Sequence, residues 1–326
     1  MRALVIEKPG DYSVQTIPDP TPGPGEVVVQ VAAVGICGTD IHIVEGEFPP
    51  TPYPIVPGHE FCGEIVDGPG TGEKVAVDPS LFCGACHYCR IGRGNLCERW
   101  GAIGDTVDGA MAEYVAVPAA NCYRLPDDLP AAHGALVEPL SCAVHGFDGL
   151  PRMLGSHYLI YGAGTMGLMM LQLALAAGAA SVSVIDLNTD RLQVARTLGA
   201  DEVATDADEF ARPHGWEVVI DCTGAIPAIE DGLTRVRRGG TYQQFGVAPG
   251  DATASFSPFR IYNDEITVVG SMAVVHSFGR AVDLVRKGAI DADTMVTHTL
   301  RLDQFSEALQ TFRDGVGRKI QIAPGR

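Results

Sequence analysis

Four cysteines lie close together between positions 83 and 97 and could bind a metal ion. Their spacing is C-x2-C-x2-C-x7-C, formed by Cys83, Cys86, Cys89 and Cys97. Four thiolates from one loop suit a tetrahedral zinc ion with no open position, so such a site would stabilise the fold and bind no substrate. An iron–sulfur cluster takes the same ligands, but the rest of the sequence gives no sign of electron transfer. The spacing therefore predicts a structural zinc site.

A second set of candidate ligands is scattered along the chain. Cys37 lies in the motif G-I-C-G-T-D-I-H, His59 and Glu60 end the motif P-G-H-E, and Glu138 lies in V-E-P. A thiolate, an imidazole and carboxylates suit a zinc ion that keeps one position open for substrate. His59 and Glu60 would point to opposite faces of a straight strand, but the preceding proline and glycine predict a bend. On residue chemistry alone, ordinary core or surface roles stay the stronger alternative.

A glycine-rich segment could bind the phosphates of a dinucleotide. The motif G-A-G-T-M-G contains Gly162, Gly164, Thr165, Met166 and Gly167 at the junction of a predicted strand and a predicted helix. The first glycine permits the tight turn, the second lets the backbone approach the pyrophosphate, and the third allows close packing of helix and strand. The N-terminus of the helix then faces the phosphates.

The acidic residue Asp186 ends the next predicted strand and indicates which dinucleotide binds. Its carboxylate can accept hydrogen bonds from the adenosine ribose, and it would repel a 2′-phosphate, so NAD is favoured over NADP. Arg191 lies nearby, within the following predicted helix.

Alternating strands and helices must position this dinucleotide site. Their alternation predicts a parallel, doubly wound α/β sheet. The predicted strands are 157–163, 181–186, 217–222, 241–247 and 266–272, and the helices between them are 165–177, 189–198 and 225–236. The first part of the chain, to about position 117, is rich in Val, Gly and Pro and predicts a β-rich domain. The sequence after the sheet predicts helices at 277–287 and 302–313 and a last strand at 319–322.

Bulk composition limits the classes of partner. The chain has 326 residues, which suits two domains, and a net charge of −17, which disfavours nucleic acid and anionic membranes as partners. The long apolar stretch 158–185 is broken by glycines and fits a buried strand–helix–strand unit better than a membrane span. We recognise no signal peptide, and the unevenly clustered cysteines favour metal binding in a reducing compartment. We therefore expect a cytoplasmic protein.

The ordered set of motifs resembles that of the zinc-dependent medium-chain dehydrogenases over essentially the whole chain. Together with E-P-L after Val137, these motifs look most like the polyol, sorbitol-like branch, with threonine dehydrogenase as a neighbour. The resemblance implies a β-rich GroES-like catalytic domain at 1–140, a Rossmann NAD-binding domain at 141–271 and a C-terminal return to the catalytic domain at 272–326. It also implies one catalytic and one structural zinc ion, and a homodimer or homotetramer.

The resemblance assigns roles to the scattered ligands. Cys37 and His59 correspond to ligands of the catalytic zinc, and Glu60 corresponds to a ligand in the sorbitol-like branch. Glu138 occupies the remaining position, as the fourth ligand or as the acceptor of a hydrogen bond from a zinc-bound water. We therefore expect Cys37, His59 and Glu60 to be direct ligands.

The resemblance also assigns a proton relay beside Cys37. Thr39 would take the proton of the substrate hydroxyl, and His42 would pass it to solvent through the cofactor ribose. Asp40 would hold the imidazole of His59. Without the resemblance, turn and helix-cap roles would be the preferred interpretation of Thr39 and Asp40.

These features imply the oxidation of a secondary alcohol in a polyol, cyclitol or similar small substrate. The zinc ion, as a Lewis acid, would stabilise the substrate alkoxide, whose carbon gives a hydride to NAD. Sorbitol dehydrogenases carry an Arg-Tyr pair where our approximate register places Ala273 and Val274, which argues against sorbitol itself. Three alternatives stay open: an L-threonine 3-dehydrogenase type of enzyme, a zinc-free reductase of the quinone reductase type, and an inactive nucleotide-binding protein on the same scaffold.

Overall fold

The chain folds into two compact units. The computed structural model describes residues 1–48, 50–151 and 153–325. The first unit combines Met1–Ser141 with Val274–Arg326, and the second is Cys142–Ala273. Within the described residues, every helix is too short or too polar to cross a bilayer.

The first part of the chain is built from short strands. These are β1 (Arg2–Lys8), β2 (Asp11–Thr16), β3 (Glu26–Gly35), β4 (Glu60–Asp67), β5 (Lys74–Val77), β6 (Ser80–Leu81), β7 (Gly101–Ala102), β8 (Tyr114–Pro118) and β9 (Cys122–Arg124). The helices here are α1 (Gly38–Glu45), α2 (His87–Arg90), α3 (Ala131–Gly134) and α4 (Val137–Asp148). The β-rich domain predicted for this region is confirmed.

The second unit alternates strands and helices. Its strands are β10 (His157–Tyr161), β11 (Ser181–Ile185), β12 (Glu202–Ala204), β13 (Trp216–Asp221), β14 (Val236–Gln244) and β15 (Thr267–Gly270). Its helices are α5 (Thr165–Ala176), α6 (Thr189–Thr197), α7 (Ile226–Arg235) and α8 (Pro258–Asn263). All five residues of β11 are buried, as expected for a parallel strand covered on both faces.

The six strands of the second unit form one parallel sheet. Their order is β12-β11-β10-β13-β14-β15, so the direction of winding reverses beside β10. The predicted doubly wound Rossmann sheet is therefore confirmed. Sheets of this kind bind ligands in the crevice over the carboxyl ends of the strands at the reversal point, which lies here between β10 and β13.

The C-terminal segment completes the first unit. It contains α9 (Phe278–Arg286), α10 (Ala292–Met295), β16 (Val296–Arg301), α11 (Phe305–Arg313) and β17 (Lys319–Ala323). A seven-stranded sheet has the order β16-β17-β3-β4-β5-β9, with β8 also paired to β3. Phe305, Leu309 and Ile322 share one hydrophobic core with the N-terminal strands, so burial of apolar surface holds this segment against the start of the chain.

The predicted elements differ from the structure mainly at their ends. The helix predicted at 302–313 begins with a separate 3-10 turn, Leu302–Gln304, before α11 starts. The strand predicted at 266–272 is shorter, at Thr267–Gly270. The edge strand β12 had no predicted counterpart, because its three residues are too few to show a periodic pattern.

Candidate functional site

The scattered ligands meet because β3 and β4 are antiparallel neighbours. Cys37 follows β3 as the residue before α1, and Glu60 opens β4 directly opposite Gly35. Gly58 has φ of 99°, which produces the predicted bend, and both His59 and Glu60 are buried. A Cβ on Gly35 would clash with Oε2 of Glu60 at 2.1 Å, so the carboxylate can occupy this position because residue 35 is a glycine.

Three of the predicted ligands form a compact group. One ligand atom each of Cys37, His59 and Glu60 lie within 4.8 Å of one another. Two atoms bound to one zinc ion at 2.0–2.3 Å are separated by no more than about 4.6 Å. The thiolate, imidazole and carboxylate of this group therefore fit a zinc ion in chemistry, and the bound on their separations is close to this limit. Glu138 is buried nearby in α4 but does not belong to this group.

Asp105 makes the polar contact of His59. Its Oδ1 lies 3.0 Å from Nδ1 of the imidazole, so Nε2 is the nitrogen left for a metal ion. The sequence predicted that Asp40 would hold the imidazole of His59, whereas in the structure Asp105 makes this contact. Oδ2 of Asp40 accepts the backbone N–H of Cys37 at 2.8 Å. Asp40 is the third residue of α1, where a carboxylate satisfies free N–H groups at the helix start.

Burial and neighbouring charges shift the pKa values of two buried side chains at this site. Burial raises the pKa of the Asp40 carboxyl to about 6, with further increases from Asp105 and Glu60 and partial opposition from His59. Burial lowers the pKa of the His59 imidazole, but Asp105 and Cys37 raise it by more, so that it lies well above its usual value. Oδ1 of Asp40 lacks a hydrogen-bond partner among the described residues.

A buried lysine from the last strand holds Glu60. Nζ of Lys319 donates to Oε2 of Glu60 at 2.6 Å and to the carbonyl oxygen of Ile36 at 3.1 Å. The charge of Glu138 also acts on this lysine. One oxygen of Glu60 is thus occupied, and Oε1 is left for a metal ion.

The two predicted relay residues lie on α1. Oγ1 of Thr39 is 3.8 Å from Sγ of Cys37. Nδ1 of His42 is 2.9 Å from Oε2 of Glu47, and its imidazole side chain is 52% exposed. Thr39 therefore lies beside the metal-ligand group, whereas His42 is in contact with solvent.

The four clustered cysteines form a second compact group. Sγ of Cys83 lies 4.0 Å from Sγ of Cys89, and Sγ of Cys86 lies 3.9 Å from Sγ of Cys97. Four sulfurs at 2.3 Å from a tetrahedral zinc ion are about 3.8 Å apart, so the spacing fits a single ion. Backbone N–H groups of Ala85 and Cys86 lower the pKa of Cys83 to about 6, which favours the thiolate form that zinc binds.

The glycine loop has the close contacts that its motif predicts. Gly162 has φ of 96°, and a Cβ on Gly167 would lie 1.7 Å from the carbonyl oxygen of Gly162. Gly164 precedes α5, and a Cβ there would meet nothing within 4 Å. Thr165 and Met166 form the first turn of α5. The N-terminus of α5 is thus open toward a ligand, as anion binding requires.

Asp186 is fixed next to this loop. Oδ2 accepts the N–H of Ala163 at 2.7 Å, and Oδ1 accepts the N–H of Asn188 at 2.8 Å. Nη1 of Arg191 lies 4.0 Å from Oδ2 of Asp186. The carboxylate therefore has a defined position at the carboxyl end of β11, where a dinucleotide places its adenosine ribose.

Two family models match the chain. Residues 23–127 match the alcohol dehydrogenase GroES-like domain, and residues 165–287 match the zinc-binding dehydrogenase model. D-arabinitol dehydrogenase 1 of Uromyces fabae is 37% identical over 99% of this chain and 97% of its own length. The chain belongs to the zinc-binding alcohol dehydrogenases. It is therefore an oxidoreductase of the zinc-dependent medium-chain family, with a GroES-like part and a Rossmann part.

Further relatives of this zinc-binding dehydrogenase cover it almost completely. An L-threonine 3-dehydrogenase of Rhizobium rhizogenes is 31% identical over 98% of this chain and 97% of its own. A zinc-binding dehydrogenase of Sinorhizobium meliloti 1021 bound to NADP has a TM-score of 0.94 and 35% identity, covering 99% of both chains. An alcohol dehydrogenase of E. coli CFT073 complexed with NADH has a TM-score of 0.92 and 30% identity, also covering 99% of both chains.

Two residues of the metal-ligand site were missing from the sequence prediction. Asp105 follows β7 in a loop, and Lys319 opens β17 near the end of the chain. Neither lies in a motif with the ligands that it contacts. His276 also reaches this part of the chain, because its Nε2 lies 2.9 Å from the carbonyl oxygen of Gly92, in the loop of the four cysteines.

Proposed function

We propose that this dehydrogenase oxidises a secondary hydroxyl group of a small polyol or cyclitol to the ketone with NAD, and catalyses the reverse reaction. The group of Cys37, His59 and Glu60 carries the proposal, because a mixed set of three protein ligands is typical of a zinc ion that binds substrate. The similarity to D-arabinitol dehydrogenase 1 supports a polyol as the substrate.

The residues around the metal-ligand group would fix its geometry. A zinc ion bound by Cys37, His59 and Glu60 would supply Lewis acidity toward the substrate hydroxyl. Asp105 holds Nδ1 of His59 and thereby orients Nε2. Lys319 holds one oxygen of Glu60 and thereby orients the other. Such contacts to the far side of a ligand set its direction and basicity.

Proton removal would begin at Thr39. Its hydroxyl lies beside Cys37, where it can accept the proton of the substrate hydroxyl while it donates its own onward. His42, on the same helix and half exposed, would release that proton to water. A Thr39→Val variant tests this step, because it keeps the shape of the side chain and removes the hydroxyl; we expect kcat to fall by about a hundredfold with little change in zinc content.

The position of Asp186 supports NAD as the cofactor. Its anchored carboxylate, only 11% exposed, would repel a 2′-phosphate. Arg191 at 4.0 Å is the residue that could offset this repulsion, and a relative has been seen with NADP bound. The ratio of kcat/KM for NAD to that for NADP tests the proposal, and a ratio below one would contradict it.

A substrate panel would separate the proposed function from its rivals. The second candidate is oxidation of an amino alcohol, favoured by the similarity to L-threonine 3-dehydrogenase. Rates of NADH formation with D-arabinitol, its stereoisomers, six-carbon polyols, cyclitols and L-threonine decide between the two, and a higher kcat/KM for L-threonine would overturn the polyol assignment. A Cys37→Ser variant with full turnover would instead favour the zinc-free alternative.

Further proposals concern assembly and location. β15 is an edge strand of the second unit's sheet and is largely exposed, and Tyr262 and Phe259 nearby are 82% and 69% exposed. An exposed strand edge with apolar neighbours favours pairing with another chain, which supports a homodimer or homotetramer. Light scattering during gel filtration tests this. None of the nine cysteines, all of which lie within the described residues, forms a disulfide, which supports a reducing, cytoplasmic location.

A further inference from the structure

A fully buried carboxylate lies at the carboxyl end of β13. Oδ1 of Asp221 accepts the N–H of Thr223 at 3.0 Å and its hydroxyl at 2.5 Å. Oδ2 accepts the N–H of Gly224 at 2.9 Å and Nε2 of Gln244 at 2.8 Å. Four donors fill the acceptor capacity of a carboxylate, so this side chain is fixed by the loop that follows it.

The same residue ties that loop to the end of β14. The carbonyl oxygen of Asp221 accepts the N–H groups of Phe245 at 3.0 Å and Gly246 at 2.8 Å. Nε2 of Gln244 donates to the carbonyl oxygen of Gly246 at 2.7 Å as well as to Asp221. Asp221 and Gln244 thus cross-link the segments 222–225 and 245–248.

Glycines allow the two cross-linked segments to touch each other. Gly224 has φ of 71°, and a Cβ there would lie 2.1 Å from the carbonyl oxygen of Val247. A Cβ on Gly246 would lie 2.3 Å from the nitrogen of Gly224. A Cβ on Gly162 of the glycine loop would lie 3.0 Å from Cγ2 of Thr223. The cross-linked segments therefore pack on each other and against the first glycine of the cofactor loop.

The strand order indicates what these segments face. Asp186 at the end of β11 is on one side of the reversal point, and β13 and β14 are on the other. A dinucleotide crosses this point. A dinucleotide whose adenosine ribose lay at Asp186 would therefore extend its nicotinamide half over the ends of β13 and β14.

We propose that Asp221, with Gln244, is a positioning residue for the nicotinamide half of the cofactor. It does so by holding segments 222–225 and 245–248 in a single arrangement, and it does not itself contact the cofactor. The inference rests on the proposed use of NAD. It goes beyond that proposal because it assigns the adenosine half of the cofactor to Asp186 and the nicotinamide half to the segments that Asp221 and Gln244 hold.

Asp221→Asn is the first test, because it preserves shape and replaces one acceptor with a donor. Binding of NADH, measured by its fluorescence, should weaken about tenfold or more, since a buried N–H or amide loses its partner. Binding of ADP, which reaches only the adenosine side, should stay within about twofold of wild type. An equal loss for NADH and ADP, or no loss for either, would overturn the inference.

A matched control and a milder variant complete the test. Asp264 pairs with Arg238 and Arg260 before the amino end of β15, away from the carboxyl ends of the strands, so Asp264→Asn should leave the ratio of NADH to ADP affinity unchanged. Gln244→Met keeps Asp221 and removes one cross-link. We expect it to weaken NADH binding by about threefold and to leave ADP binding unchanged. If Asp221→Asn does not fold, this variant provides the test of the inference. Wild-type protein that bound neither ligand would refute the use of NAD itself.

Discussion

In the metal-free protein, replacing Lys319 with Met would leave the Glu60 carboxylate buried without its ion-pair partner. The two side chains are only 4% and 2% exposed, and their charged atoms are 2.6 Å apart. A buried Glu60 in the variant would take up a proton rather than stay charged and unpaired. Protonating a glutamate of ordinary pKa near 4.3 at pH 7 costs about 3.7 kcal/mol. The lost bond to the carbonyl oxygen of Ile36 adds about 1 kcal/mol.

We therefore expect Lys319→Met to lower the free energy of unfolding by about 4–5 kcal/mol at pH 7, close to values for broken buried ion pairs. In the variant, burial favours the uncharged carboxyl in the folded state, so the penalty is full at neutral pH and disappears as the pH falls toward about 4.3, where glutamate is protonated in the unfolded chain as well. The loss should shrink by about 1.4 kcal/mol for each pH unit between pH 7 and pH 5. Urea unfolding followed by tryptophan fluorescence at several pH values measures it.

Two further variants make the result specific to this pair. Lys287 is exposed at the end of α9, so Lys287→Met should change stability by less than about 0.5 kcal/mol. A Glu60→Gln/Lys319→Met double variant removes both charges and should lose less stability than Lys319→Met alone. A loss for Lys319→Met below about 1 kcal/mol, or one that stays constant with pH, would refute the reasoning.

Other predictions concern the second metal-ligand group and the cofactor loop. Cys97→Ser should reduce zinc from about two ions per chain to about one and lower Tm, while the protein that stays folded keeps its kcat; a stable variant that lost only catalysis would contradict a structural role. Gly164→Ala should keep the wild-type Tm and weaken NADH binding by about tenfold or more, since its Cβ would meet only the cofactor. Gly167→Ala should instead lower Tm, because its Cβ would overlap the carbonyl oxygen of Gly162; the reverse pattern for the two glycines would show that their roles are misassigned.

Local sequence patterns predicted the parallel sheet well. Buried strands such as β11 form continuous apolar runs, and glycine motifs mark the turn before α5, so each element shows in a short window of sequence. The spacing of the four cysteines was equally informative about their clustering, because all four belong to one loop. The position of Glu138 outside the compact ligand group could not be predicted, since it depends on where α4 lies relative to β4.

Residues that support the metal ligands left no local pattern. Asp105 reaches His59 from a loop after β7, and the sequence offered the nearer Asp40 in its place, although Asp40 is used by the helix start instead. Lys319 comes from the opposite end of the chain. Such contacts depend on strand pairing across long separations, which no window of sequence contains.

The ion pair between Lys319 and Glu60 gives the C-terminal segment a part in the site as well as in the core. β17 pairs with β3, which leads to Cys37, and β3 pairs with β4, which begins with Glu60. One continuous set of strands therefore delivers the thiolate, the carboxylate and the ammonium group to the same end of the sheet. Apolar burial of Phe305 and Ile322 holds the segment in place, and because a buried carboxylate is costly without a partner, the fold that orders these strands also brings Glu60 the lysine that holds it within the metal-ligand group.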